Sequence, residues 1–262
     1  MVNFCLRTYR LLFGGKCFYK FNRFLYALSL RGLGIMNYEN DQVSGEECFV
    51  KNLFRDDASK VVFDVGANKG DYSQKILKYA RRARVYAFEP HPLTYQSLKD
   101  SVNSDRFHCY NSAVGATNGE TFLYDYENGN ASQHASVYKG VIETLRKSKA
   151  VRHKVGLITL TDFAKQNSID FIDFLKIDTE GGELEVLKGF AEYLRDGKVG
   201  IIQFEFNDAH VMGRAFFKDF WDALPNYSFF RMLPDGLVPI KSYDPLFCEI
   251  FAFQNIVAIL NK

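Results

Sequence analysis

VVFDVGANKGDYS, residues 61–73, passes from an apolar run through a glycine-punctuated turn into a helical pattern. Val61, Val62 and Phe63 predict a buried strand that ends in Asp64. Gly66 and Gly70 then bracket Ala67 and Asn68 in a turn whose backbone can approach a ligand with no Cβ in the way. From Asp71 onward Tyr72, Ile76, Leu77 and Tyr79–Ala80 recur on one helical face. A strand, a glycine turn and a helix start form the architecture that holds a nucleotide-like ligand, with the unpaired N–H groups of the first helical turn nearby. A dinucleotide site carries G-x-G-x-x-G. Here the turn has two glycines only, and Asp64 stands two residues ahead of the first. A carboxylate at that place repels a pyrophosphate. It suits a ligand with an ammonium or sulfonium group, and S-adenosylmethionine carries both. The plainer alternative is a structural turn with a helix-capping acid.

Downstream, VYAFEP at residues 85–90 predicts a second strand ending in Glu89, which lies 23 residues after Gly66. An acid about 20 residues on is where such folds hold ribose hydroxyls. A helix over Leu93–Val102 and a third strand over Phe107–Asn111 follow, and the small residues of the next loop leave room for a purine. Thr121–Tyr126 alternates as an added strand, residues 127–140 read as a polar active-site loop, and Leu157–Leu160 leads into a short helix at 161–167 capped by Thr159 or Thr161. FIDFLKIDTEGGELEVLKGF, residues 171–190, repeats the first pattern: a buried strand ending in Asp178, a turn through Thr179, Glu180, Gly181 and Gly182, then a helix. Val199–Phe206 is a further strand with Glu205 at its end and Asn207, Asp208 and His210 beyond it. Carboxylates at neighbouring strand ends are costly unless a cation sits among them. The other reading has them capping helices and meeting lysines. Tyr227–Met232 and Phe247–Ile259 predict an antiparallel pair closing the sheet across a turn-rich connection.

A chain of 262 residues with 47% hydrophobic and 24% charged content suits one large α/β domain with an appendage, and 16% aromatics suits a well-filled core. Cys5, Cys17, Cys48, Cys109 and Cys248 are scattered and odd in number, which predicts free thiols in a reducing cytoplasm and neither a disulfide framework nor a zinc site. The five histidines form no metal-binding motif, so no metal is expected. Residues 1–36 hold six basic side chains and no acid, whereas the other 27 basic residues are outweighed by 31 acidic ones. That distribution argues against nucleic-acid binding by the main domain. The appendage, residues 1–45, predicts one or two amphipathic helices broken near Gly14–Gly15 and a turn-rich linker over 32–45. Its longest uncharged run, Phe24–Leu30, has seven residues, far from the roughly 20 of a membrane span. Two readings of this arm stand side by side: a peripheral helix on the inner membrane face, basic residues toward anionic head groups, or a lid or homo-oligomer contact. The domain proper runs over 46–262 and opens with a helix from Glu46 to Phe54.

Taken together, FDVGANKGDYS, AFEPHPLTYQSL, NSAVGATNGE and IDFLKIDTEGGELEVLKGF resemble the FkbM family of S-adenosylmethionine-dependent methyltransferases, in register from about residue 45 to the C-terminus. The resemblance implies an α/β Rossmann-like class I methyltransferase fold: a seven-strand, mostly parallel sheet with an antiparallel last strand. It implies methyl transfer to a hydroxyl, on a sugar of a glycan or glycolipid or on a secondary metabolite. By the same resemblance Asp64, Gly66, Ala67, Asn68, Gly70 and Ser73 would surround the methionine part, Glu89 and Pro90 the ribose, Asn111, Ser112 and Ala113 the adenine, and Asp178 would face the sulfonium and the acceptor. An alcohol attacks poorly while it keeps its proton, so a general base is expected. Asp178, Glu180, Glu205 and His210 are the candidates, and His134 and His153 are expected at the surface. By the same resemblance, Gly182 stands where many family members carry a larger residue. A nicotinamide-dependent oxidoreductase and a non-catalytic protein on the same sheet are the competing readings.

Overall fold

Central strands need two apolar faces, and VVFDV and IDFLKI supply them. The computed structural model describes residues 2–56, 58–127 and 132–261. Part of the expected loop at 127–140 therefore lies outside the described residues. The strands are β1 (Val61–Val65), β2 (Arg84–Phe88), β3 (Phe107–Tyr110), β4 (Ala113–Val114), β5 (Gly119–Tyr126), β6 (Ala150–Ile158), β7 (Ile172–Ile177), β8 (Val199–Phe206), β9 (Tyr227–Leu233), β10 (Gly236–Ile240) and β11 (Gln254–Leu260).

Eight of them form one sheet in the order β10-β9-β11-β8-β7-β1-β2-β3. The run from β3 to β8 is parallel. β11, last in the chain, is antiparallel to both β8 and β9. The expected Rossmann-like sheet with its antiparallel last strand is present, extended by β10 as an eighth, edge strand. β10 contains Pro239, which hides it in the sequence and which an edge strand tolerates because no ladder N–H is needed there. Residues 247–253, expected in the last strand, are outside it. Pro245–Cys248 is a helical turn capped by Asp244, whose Oδ1 accepts the Leu246 N–H at 2.9 Å. β4, β5 and β6 form a separate small sheet. Arg152, His153 and Lys154 blur the alternation of β6, so the sequence shows no strand there.

Alternate residues of β1 and β7 feed opposite cores. Val62 and Phe174 pack with Phe49, Val50 and Ile76 from the helices Glu46–Leu53 and Asp71–Tyr79. Phe63 and Leu175 pack with Phe88, Phe163, Phe190 and Phe204 on the other face. The ring of Phe63 lies 5.6–6.2 Å from those of Tyr86, Phe88, Phe163 and Phe190. Burying each such ring contributes about 1.5–3 kcal/mol, which is how this aromatic-rich sequence holds its central strands in place.

β1 leads outward to β2 and β3, and the chain then returns to β7 on the other side of β1. The strand order reverses there, and ligands bind at the carboxyl ends of strands at such a switch point. Residues 36–45 help to build its rim. Met36 donates its N–H to the Phe253 carbonyl at 2.7 Å. Asp41–Ser44 forms a helical turn capped by Asn40. Gly45 (φ 89°) sits so close to β9 that a Cβ would lie 2.1 Å from the Leu233 carbonyl oxygen. Ahead of this segment lie the helices Val2–Phe13 and Tyr19–Gly32, separated at Gly14–Gly15.

Candidate active site

The β1 turn is held by close backbone contacts. Gly66 and Ala67 both donate N–H groups to the Phe88 carbonyl, at 2.9 and 3.0 Å, and Asp178 donates its own to Val65 at 2.9 Å. Gly66 adopts φ 78°, and a Cβ there would stand 1.7 Å from the Asp178 carbonyl oxygen. Asn68, also left-handed at φ 49°, turns its N–H onto Glu89 Oε2 at 3.0 Å. The His91 N–H reaches Glu89 Oε1 at 2.8 Å. Each Glu89 oxygen keeps further lone pairs for a ligand. Burial raises Glu89 to about 7, against those two hydrogen bonds, with Asp64 and Asp178 adding repulsion. Asp64 is raised to about 6, again chiefly by burial, although Ser73 Oγ donates to its Oδ2 at 2.6 Å.

The second turn follows β7. Lys176 is buried, with Nζ 3.0 Å from Asp178 Oδ2. Burial works against its charge, but Asp178, Glu46, Asp64 and Glu205 hold it protonated. The next acid, Glu180, is left-handed at φ 54°, a strained conformation for a side chain of its kind. Its Oε1 lies 3.1 Å from His134 Nδ1, while its Oε2 is buried with no hydrogen-bond partner among the described residues. Burial raises the Glu180 carboxyl and His134 partly offsets that. The hydrogen bond to Glu180 in turn raises His134. The loop carrying His134 is pinned by Ser136, whose Oγ donates to the Glu180 carbonyl at 2.7 Å. Behind the turn, Glu183 accepts the N–H groups of Thr179 and Gly181 at 2.7 and 2.9 Å.

These turns and the ends of β2, β4 and β8 enclose a cavity of about 1000 Å³. Asp64, Gly66, Ala67, Asn68, Glu89, Pro90, Ser112, Ala113, Asp178, Glu180 and Glu205 all line it. Glu205 is pushed well above the carboxylate range by burial and by Asp178 and Glu180. Four expected site residues do not reach the cavity. Gly70 shapes the helix start, where a Cβ would meet Leu98 at 2.8 Å. Ser73 is fully buried behind Asp64. Asn111 spends its amide on the carbonyls of Glu89 and Pro90, at 2.9 and 3.0 Å. His210 is fully buried, with Nε2 2.9 Å from Glu183 Oε2 and Nδ1 accepting the Asn207 N–H at 3.2 Å. It supports the second turn from below and is no base for a ligand in the cavity.

Other lining residues carry no motif. His134, expected at the surface, borders the cavity, whereas His153 packs beside the His91 ring at 4.7 Å. Lys176 interrupts an apolar strand and reads as a pattern break until its carboxylate partners converge on it. Met36, Tyr38 and Asp41 come from the segment read as a linker. Gly182 also borders the cavity, and a Cβ there would meet Thr179 Oγ1 at 3.1 Å and Val137 at 3.7 Å. Among the described residues ten carboxyl side chains line the space against three from lysine and arginine, and Lys75 and Arg146 among these are already paired with Asp41 and Asp208.

The family model for the methyltransferase FkbM domain matches residues 64–230. The chain is 24% identical over 187 residues to the 2-O-methyltransferase NoeI of Sinorhizobium fredii, covering 68% of this chain and 76% of that protein. It is 30% identical over 156 residues to the methyltransferase sdnD of Sordaria araneosa, covering 50% of this chain and 60% of that one. With the hexuronic acid methyltransferase AglP of Haloferax volcanii it shares 27% identity over 160 residues, covering 61% and 62%. The last two matches thus span less than two thirds of those relatives. The solved FkbM methyltransferase of Methylobacillus flagellatus aligns with a TM-score of 0.47 at 14% identity, covering 76% of this chain and 43% of that one.

Proposed function

The chain belongs to the FkbM family of methyltransferases, and on that premise we propose that it transfers the methyl group of S-adenosylmethionine to a hydroxyl oxygen of a sugar that carries no acidic group, in a glycan or glycolipid. The observation that carries this reading is the carboxylate excess of the cavity, ten acids against three lysine and arginine side chains among the described residues. Crowded carboxylates raise one another's pKa until a cation joins them, and the cofactor brings both a sulfonium and an ammonium. Asp64, Gly66 and Asn68 suit its methionine part, Glu89 its ribose, and Ser112 and Ala113 leave space for its purine. When bound, the cofactor supplies a methyl group already activated by positive sulfur.

The protein's own part is to align the acceptor oxygen, exclude water and remove a proton. Glu180 is the best placed acceptor of that proton. Its Oε2 is buried and unpartnered among the described residues, and its raised pKa makes it a stronger base than an ordinary carboxylate. Asp178 is engaged by Lys176, and Glu205 Oε1 already accepts a hydrogen bond from the Asn207 amide at 2.5 Å. His134 positions Glu180 through Oε1. Tyr38, Phe251 and Phe253 add aromatic surface, and Asn207 a polar group, on the cavity wall. One relative's name points to an oxygen acceptor and another's to a uronic acid. The acidic lining favours a hydroxyl of an uncharged or amino sugar over a uronic carboxylate.

Calorimetric titration tests the cofactor half of this reading: S-adenosylmethionine and its demethylated product should bind, and NAD should not. Glu89→Gln should weaken both by about 1–3 kcal/mol, the scale of lost charge-assisted hydrogen bonds; unchanged affinity for both would remove Glu89 from the ribose site. Binding favours the ionised forms of Glu89 and Asp64, which in the free protein titrate near 7 and 6. Affinity should therefore be full above about pH 8, fall as pH drops through 7 as Glu89 protonates and fall more steeply below 6 as Asp64 follows, by up to about tenfold per unit for each group, with protons released to the buffer on binding near neutrality.

A further inference from the structure

The helices Val2–Phe13 and Tyr19–Gly32 contribute little to the cores described above. Tyr9, Phe13, Phe18, Phe21 and Asn22 tie them to each other, for example through Asn22 Nδ2 donating to the Phe13 carbonyl at 2.8 Å. Many of their other apolar side chains face solvent: Phe4, Leu6, Leu11, Phe24, Tyr26 and Leu28 are all at least half exposed. Phe21, Phe24 and Leu28 recur at helical spacing as one stripe. Arg7 and Arg10 form a narrow basic strip on the first helix, and Lys20, Arg23 and Arg31 recur on one side of the second. No acidic residue occurs before Glu39, which lies 3.9 Å from Arg31 and leaves the other four without an acid on their own helices. Among the described residues no helix is long and apolar enough to cross a membrane.

We propose that this arm docks the protein on an anionic lipid surface, its aromatic and leucine side chains entering the head-group boundary while the basic strip meets lipid phosphates. A broad apolar arc beside a purely basic strip is the pattern of an interfacial helix. Aromatic side chains partition to that depth, and every lysine or arginine near the surface adds attraction. Two such arms pressed together would instead set like charge against like charge. The arm's root also reaches the cavity. Leu30 and Ile35 are buried, Met36 is hydrogen-bonded to Phe253, and Met36, Tyr38 and Phe253 line the wall. Docking the arm brings the mouth of the cavity to the head groups, where an acceptor sugar carried on a lipid is reached by diffusion in the plane. This last consequence rests on the function proposed above; the docking itself does not, and it is measured without cofactor or acceptor.

The test is co-sedimentation of the full chain with phosphatidylglycerol–phosphatidylcholine vesicles and with phosphatidylcholine vesicles alone, at low and high salt. Binding to the anionic vesicles at low salt should exceed binding to neutral vesicles, or at high salt, at least tenfold. The fourfold variant Arg7→Gln, Arg10→Gln, Lys20→Gln, Arg23→Gln should lose at least tenfold, and so should Phe24→Ser with Leu28→Ser, with melting temperatures unchanged. Absent binding, binding indifferent to lipid charge or salt, or full binding by the charge variant would overturn the proposal. So would a wild-type dimer that ignores vesicles and falls to monomer in either variant, which would make the arm a contact between copies of this chain.

Discussion

Glu180→Gln is expected to lower turnover by about 10²–10⁴-fold, the range that general-base catalysis supplies, while S-adenosylmethionine affinity stays near wild type. The amide keeps the shape of the side chain and its link to His134, but Oε2 is no longer an oxygen that can take a proton. Stability should not fall. Glu180 sits among Asp178, Glu183 and Glu205, and an uncharged group there relieves repulsion. His134→Ala should cost less turnover, because the base remains. It should also move the acidic limb of the pH–rate profile upward, since His134 lowers the Glu180 pKa through both hydrogen bond and charge. The double variant should be little worse than Glu180→Gln alone, as expected for residues acting as one unit. Near-normal turnover of Glu180→Gln with saturating cofactor and acceptor would return the search to Asp178 and Glu205.

Gly66→Ala is expected to remove cofactor binding and to destabilise the fold by at least about 3 kcal/mol. An L-residue at φ 78° costs about 1–2 kcal/mol on conformation alone. The added Cβ would also stand 1.7 Å from the Asp178 carbonyl oxygen, so the β1 and β7 turns must separate. Both turns line the cavity, and the backbone contact between them fixes the spacing of Asp64 and Asp178. Gly197→Ala is the control. It shares a left-handed φ of 67°, but among the described residues its Cβ would meet only Leu260, at 3.6 Å. Thermal and denaturant unfolding should place its loss at about 1–2 kcal/mol. Equal losses at the two positions would mean that the turns can part freely and that their contact does not organise the site.

Why some of this was legible from residues alone follows from its range in sequence. β1 and β7 each carry a local pattern, an apolar run stopped by an acid and followed by glycine, so the strands, their turns and most of the cavity acids are visible in short stretches. The charge balance of the cavity is not local. Lys176 gains meaning only when Glu46, Asp64 and Glu205 arrive from other elements. His134 is carried to Glu180 by a loop pinned through Ser136 and β5, a contact that no spacing announces. His210 follows an acid-ended strand and so looks like a site residue, but the short helix Ala209–Gly213 turns it inward to Glu183. Residues 36–45 are rich in turn formers and read as a tether, yet turn formers also build tight walls. Gly45 is tolerated because its backbone lies against β9.

Methyl transfer to a sugar oxygen under the control of Glu180 is the proposal on which the other roles depend. The direct measurement supplies the full chain with methyl-labelled S-adenosylmethionine and a panel of neutral, amino and uronic saccharides, free and lipid-linked, and locates the label by mass spectrometry before and after mild alkali. The expected product is an alkali-stable methyl ether on a neutral or amino sugar, formed by the wild type and nearly lost in Glu180→Gln. An alkali-labile methyl ester on a uronic acid, a label on nitrogen, or equal transfer by Glu180→Gln would contradict it.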